Sequence, residues 1–317
     1  MSAAGSAGST RAVRQTGRAL WHVGRGRAIE VLVLQASPLL GVAFGGAIAV
    51  KPLTVLLVAS VLLTAHVFAF NDWAGHREDL NDPRREPHVF AHHDIGSRAV
   101  ATLALALLAV AMAMLAALGT VALALGAAIA CVGFLYSNNE ASGKGVPVFA
   151  SLMHLLGGAL HFLLGYNLTR AIDSQGIVIA LFFGLVFAGG HLNHEVGDHE
   201  ADRGNGIRTT AVVYGPRRAL LASLAVFSTA YGELILLAAL GVVPRPLLWT
   251  AAVLWPLHVL FTLQALRGEP GFAQSRWLQR RYRFLFAIVG AVMLMSLLGC
   301  PQSTPNAQIF PCPSEPR

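Results

Sequence analysis

Nine stretches of the chain are apolar for long enough to cross a hydrocarbon core, and no other feature limits the fold so tightly. They run over 29–50, 52–70, 99–118, 119–136, 148–166, 177–192, 220–240, 247–266 and 284–298; a helix needs about 20 residues to span the core. Lipid offers backbone N–H and C=O groups no partner, and the stretches lack the alternation of a barrel strand, so each must be a helix. Composition agrees, because 12% of residues are charged where a soluble domain carries about 25%. The expected fold class is an all-α polytopic membrane protein.

Charge then orients it. The net charge of +7 could suggest nucleic acid in a soluble protein, but here it follows the positive-inside rule and implies no nucleic-acid partner. With the amino terminus in the cytoplasm, all but Lys51, Arg170, Arg245 and Arg317 of the 23 basic residues fall inside. Residues 1–28, with five arginines and no acid, are expected to be a basic tail without regular structure beside an anionic leaflet, and an organellar transit peptide has similar composition. Residues 29–299 form the membrane domain and 300–317 an outer tail. Cys131 lies inside the fourth stretch, while Cys300 and Cys312 sit in that tail, where a disulfide could form. High Ala, Gly and Arg usage points to a bacterial cytoplasmic membrane.

Ten of the sixteen acids fall in two loops on the inner side. Asp72, Glu78, Asp79, Asp82, Glu86 and Asp94 follow the second stretch; Glu195, Asp198, Glu200 and Asp202 follow the sixth. Each loop follows an even-numbered helix, four helices apart, and each mixes its acids with arginine. This suggests two pseudo-repeated four-helix halves plus a ninth helix, with a site where the halves meet. Carboxylates three to four apart on a helical turn face one side and can hold Mg²⁺ through one or two contacts while phosphate oxygens complete its octahedron. Arginine and lysine clamp the remaining phosphate charge. One such loop alone reads as a solvated charged turn; two of the same chemistry on one side favour a metal-bridged diphosphate site.

These residues resemble the UbiA superfamily of intramembrane prenyltransferases, which carries NDxxDxxxD after its second helix and DxxxD after its sixth. The chain reads Asn71-Asp72-Trp73-Ala74-Gly75-His76-Arg77-Glu78-Asp79 at the first place and Asp198-His199-Glu200-Ala201-Asp202 at the second. Arg203-Gly204-Asn205-Gly206-Ile207-Arg208-Thr209-Thr210-Ala211 is similar to the family's Gly-Ile-Lys-Ser-Thr-Ala continuation, and Leu135-Tyr136-Ser137 with Lys144, and Ser37-Pro38-Leu39-Leu40-Gly41, are further echoes. The departure is Gly75, which stands where the family has its middle aspartate and has no side chain to bind a metal. His76, Glu78 or Asp82 are near enough in sequence to compensate, and histidine is a poor Mg²⁺ ligand.

The resemblance implies Mg²⁺-dependent transfer of a prenyl group from a polyprenyl diphosphate to a small aromatic, phenolic or lipidic acceptor within membrane lipid. It assigns Asn71, Asp72, Asp79, Asp198 and Asp202 to the metal and Lys144 to the diphosphate; Arg84, Arg85, Arg203 and Arg208 join Lys144 by their nearness to the motifs in sequence, and each reads equally as a positive-inside anchor. The aspartates and Lys144 form the expected catalytic set. His154 and His161, seven apart on one helix face, and His191, Asn193 and His194 read equally as structural hydrogen-bonders or as groups that orient an acceptor or take its ring proton. Glu233 should be paired or neutral, Glu30 and Gln35 are acceptor contacts by resemblance, and His92-His93-Asp94 fits a surface turn equally well. Two other readings stay open within the superfamily, a terpene cyclase without an acceptor and phosphoribosyl transfer to a lipid phosphate. From a different class, a secondary transporter would place its acids at the midplane rather than at one face.

Overall fold

The structure, a computed structural model, describes residues 3–46, 49–81, 89–137 and 143–299; side chains 3–14 and 23 are outside the description. Arg84, Arg85, Asp82, Glu86, Cys300 and Cys312 therefore lie outside the described residues. The helices are α1 (Ala3–Leu34), α2 (Ala36–Gly45), α3 (Val50–Ala74), α4 (His76–Asp79), α5 (Ser97–Leu118), α6 (Thr120–Ser137), α7 (Phe149–Tyr166), α8 (Ser174–Gly204), α9 (Thr210–Tyr214), α10 (Pro216–Ala239), α11 (Pro246–Leu266) and α12 (Phe272–Leu298), with a 3₁₀ turn at Phe90–His93. Nine candidate spans occur among the described residues, the first being Gly24–Gly45 across α1 and α2, and no strand occurs among them. The all-α, multi-span class is as expected.

Three helices outrun their apolar stretches. α1 begins at Ala3, so the basic segment expected to lack regular structure is helical where described; alanine and arginine favour helix and no proline interrupts them. α8 continues to Gly204, which puts Asp198 and Asp202 on a helix rather than in a loop. α12 begins at Phe272 and carries Arg276, Arg280, Arg281 and Arg283. Apolar length marks where a helix leaves lipid, whereas the helix stops only at a breaker, here Gly204-Asn205-Gly206 with Gly206 at φ +72.

The chain divides into two compact units, one of residues 1–36 and 49–145, the other of 37–48 and 146–317. The division falls inside the first span as well as after the fourth, so the units are not two plain halves of the sequence. In the first unit α3 packs on α5 and α6, and α1 packs on α3 and α5, around Ala69, Phe90, Val100 and Leu103. Gly119, at φ +126, forms the whole connection between α5 and α6, a conformation glycine reaches without strain.

In the second unit α8 is central, packed against α7, α10, α12 and α9. The α7–α8 contact depends on a reciprocal pair of glycines. A Cβ on Gly158 would stand 2.8 Å from the Phe183 carbonyl oxygen, and one on Gly184 2.6 Å from that of Leu155. Small residues at these crossings let the backbones close and make dispersion contacts where lipid gives no hydrophobic drive. Polar ties reinforce the core: Ser223 Oγ donates to the Gly189 carbonyl at 2.8 Å, and Ser275 Oγ to that of Asn193 at 2.7 Å.

Candidate active site

In the first unit the acidic motif sits where a helix is interrupted. α3 carries Asn71 and Asp72 to its end at Ala74; Gly75 then donates its N–H to the Asn71 carbonyl at 2.9 Å, and the chain resumes as α4, which ends on Asp79. Arg27 of α1 reaches Asp72, Nη2 to Oδ1 at 2.5 Å and Nε to Oδ2 at 3.5 Å. The same guanidinium lies 5.3 Å from the centroid of the Phe68 ring. Ser137, at the end of α6, donates from Oγ to Asn71 Oδ1 at 3.3 Å. Asn71, Asp72 and Ser137 are therefore brought together, and Arg27, one of the five arginines of the basic segment 1–28, is the addition the structure makes.

Gly75 has φ −89° and ψ 8°, a conformation open to any residue. A Cβ there would meet Asn71 O at 3.2 Å and Glu78 Oε2 at 3.7 Å. The backbone does not demand glycine, but the Asn71 carbonyl must give by a few tenths of an ångström to admit a side chain here.

In the second unit Asp198 and Asp202 lie one turn apart on α8, Asp198 partly exposed and Asp202 buried. His194 Nδ1 stands 3.9 Å from Asp198 Oδ2. Arg203 and Arg208 follow, both exposed; Lys144, in the turns before α7, is half-buried.

One turn before Asp198 lies Glu195, which the sequence offers only as one acid among several. Its side chain is 3% exposed, with Oε1 3.1 Å from His191 Nε2. Its Oε2 accepts the Ala211 N–H at 3.1 Å, and Thr210 adds backbone and side-chain hydrogen bonds. His154 stacks on His191 with ring centroids 3.9 Å apart. His154 and His161 each direct Nδ1 at their own helix, to the carbonyls of Ala150 and Gly157, both at 2.9 Å. Val148, the N-cap of α7, has φ +69° and ψ −38°, a strained conformation for a β-branched residue. Elsewhere, Gln35 Nε2 donates to the Val31 carbonyl at 2.8 Å, and Glu233 Oε2 is buried with no hydrogen-bond partner among the described residues.

The donor set fits Mg²⁺. The motifs offer carboxylate and amide oxygens, the hard ligands this ion takes. No three His, Cys, Asp or Glu residues gather as a self-sufficient cage among the described residues. Mg²⁺ is typically held by one or two carboxylates with substrate phosphate completing the shell.

Residues 32–300 match the sequence model of the UbiA prenyltransferase family. Among solved structures, a UbiA homologue from Archaeoglobus fulgidus bound to GPP and Mg²⁺ superposes with TM-score 0.70 at 19% identity, covering 89% of this chain and 98% of that one. A digeranylgeranylglyceryl phosphate synthase gives TM-score 0.69 at 16% identity over 90% and 99%. An apo UbiA homologue from Aeropyrum pernix K1 gives 0.68 at 19% over 82% and 95%. No curated protein matches by sequence.

Proposed function

The chain belongs to the UbiA prenyltransferase family, and on that premise we propose that it transfers a prenyl group from an allylic diphosphate to an aromatic or phenolic acceptor within the membrane. The observation that carries this reading is the pair Asp198 and Asp202, one turn apart on α8 and followed directly by Arg203 and Arg208. The relatives described with GPP and with DMAPP, each with Mg²⁺, support the same choice of metal and donor. Asn71, Asp72 and Asp79 supply oxygens from the first motif, Asp198 and Asp202 from the second. Bound Mg²⁺ would neutralise charge on the departing diphosphate. Lys144, Arg203 and Arg208, with Arg84 and Arg85, bind the phosphate oxygens and hold the leaving group as the allylic C–O bond breaks. The apolar helices exclude water, so the acceptor carbon rather than water meets the allylic cation. The motifs and the amino terminus face the cytoplasm in this reading.

Purified protein in nanodiscs, given geranyl, farnesyl or geranylgeranyl diphosphate with Mg²⁺, tests the proposal. Diphosphate release that needs a phenol, yields an adduct of matching mass and vanishes with EDTA or Asp198→Ala is the expected result. Terpene release without acceptor would instead identify a cyclase. Absence of any release dependent on metal and Asp198 would remove the reading.

A further inference from the structure

A carboxylate as deeply buried as Glu195 must be hydrogen-bonded to persist, and its partners lie in an unexpected place. They lie at the start of α9, the short helix just beyond the second motif: the N–H of Ala211 at 3.1 Å and the N–H and hydroxyl of Thr210. The Thr210 hydroxyl, itself buried, also accepts the Val148 N–H at 3.2 Å. Val148 needs such a partner. Its side chain is 62% exposed, so packing does not hold its φ of +69°; the hydrogen bond to Thr210 is what the structure offers to do so. One chain of contacts thus runs from His191 through Glu195 and Thr210 to the backbone at the start of α7. Arg208 lies two residues before Thr210, and Lys144 four residues before Val148.

We propose that Glu195 is a positioning residue: through Thr210 it fixes the backbone that carries Arg208 together with the start of α7, and so sets the affinity of Arg208 for diphosphate without touching the ligand. The inference rests on the diphosphate reading above. Its chemistry is ordinary hydrogen bonding. Glu195 accepts, Thr210 donates to it and accepts from Val148, and removal of the Thr210 hydroxyl breaks the chain at its middle.

The test uses the full-length protein in nanodiscs with inorganic pyrophosphate and Mg²⁺ as the probe, so that binding is read without turnover. Thr210→Val keeps the shape and removes the hydroxyl; it is expected to speed hydrogen exchange in residues 146–150 and to weaken pyrophosphate binding by about tenfold, the scale of one lost buried partner. Thr210→Ser restores both, which a purely structural role for the methyl group would not do. Glu195→Leu, which removes both acceptor oxygens, loosens residues 146–150 and 207–211 together. Wild-type affinity in Thr210→Val, or unchanged exchange of both segments in Glu195→Leu, overturns the proposal. Wild-type protein that binds pyrophosphate in this Thr210-dependent way yet transfers no prenyl group would remove the functional reading and leave this one standing.

Discussion

Arg27 on α1 and Asp72 on α3, 45 residues apart in sequence, meet at 2.5 Å. On the proposed assignment of Asp72 to the metal, cation and arginine would compete for one carboxylate. Arg27→Gln should lower the Mg²⁺ concentration that half-saturates activity by roughly threefold, the range of a part-exposed ion pair. An Mg²⁺ titration of wild type and variant at one ionic strength measures it. A rise in the Mg²⁺ requirement would mean that Arg27 acts on the diphosphate and not against the metal.

Gly75 leads to a second expectation. Its backbone suits any residue, while the Asn71 carbonyl, 3.2 Å from a Cβ, must give by a few tenths of an ångström, so Gly75→Asp should fold with a small drop in thermal midpoint. It would add a carboxylate between Asp72 and Asp79 and strengthen Mg²⁺ binding, read as a lower half-saturating concentration with a cooperative melting curve. Loss of cooperative melting would show that the interruption between α3 and α4 requires glycine after all.

The helices were legible because lipid leaves the backbone only one solution, and apolar length alone counts them. Their ends were not. α8 carries His191, Asn193, Glu195, Asp198 and Asp202 on uninterrupted helix, since polarity halts an apolar stretch without halting a helix. Asn71, Asp72, Asp198 and Asp202 stood out by order and spacing. Arg27 and Glu195 did not, because what distinguishes each is a partner that the fold alone brings near, Asp72 for Arg27 and the start of α9 for Glu195. The same holds for Gly158 and Gly184, two of 32 glycines until the α7–α8 crossing gives them a reason.

Asp173 ties down the turn between α7 and α8. It accepts from Gly176 N at 2.8 Å and from the Tyr166 hydroxyl at 2.9 Å, and pairs with Arg170 at 2.6 Å. Burial alone would raise its pKa, but the Gly176 N–H, Tyr166 and Arg170 together outweigh burial and hold it below the ordinary carboxylate value. The folded state therefore releases this proton more readily than the unfolded chain does. The stability involved is present above the ordinary carboxylate range and disappears as pH falls through the lowered folded value. Asp173→Ala should destabilise by about 1 kcal/mol at neutral pH, as for a lost helix cap, and the gap from wild type should narrow in strong acid. Thermal midpoints measured across the acid range would expose a gap that fails to narrow.

His258 is 1% exposed on α11, and neither ring nitrogen has a hydrogen-bond partner among the described residues. Around it stand Phe227 at 4.6 Å, Tyr282 at 6.0 Å and Phe286 at 6.0 Å between ring centroids, so the imidazole occupies an aromatic niche that gives its polar atoms nothing. An unsatisfied buried polar group is destabilising, and an apolar group of similar shape relieves it. His258→Phe should accordingly stabilise the second unit by about 1 kcal/mol, seen as a higher thermal midpoint in nanodiscs, while prenyl transfer continues at the wild-type rate. The larger ring must fit a packed core, and overpacking works against the gain; His258→Leu, smaller and equally apolar, controls for that. If both variants lower the midpoint, the two nitrogens are bonded in the membrane-embedded protein and the niche is a polar site rather than an apolar one.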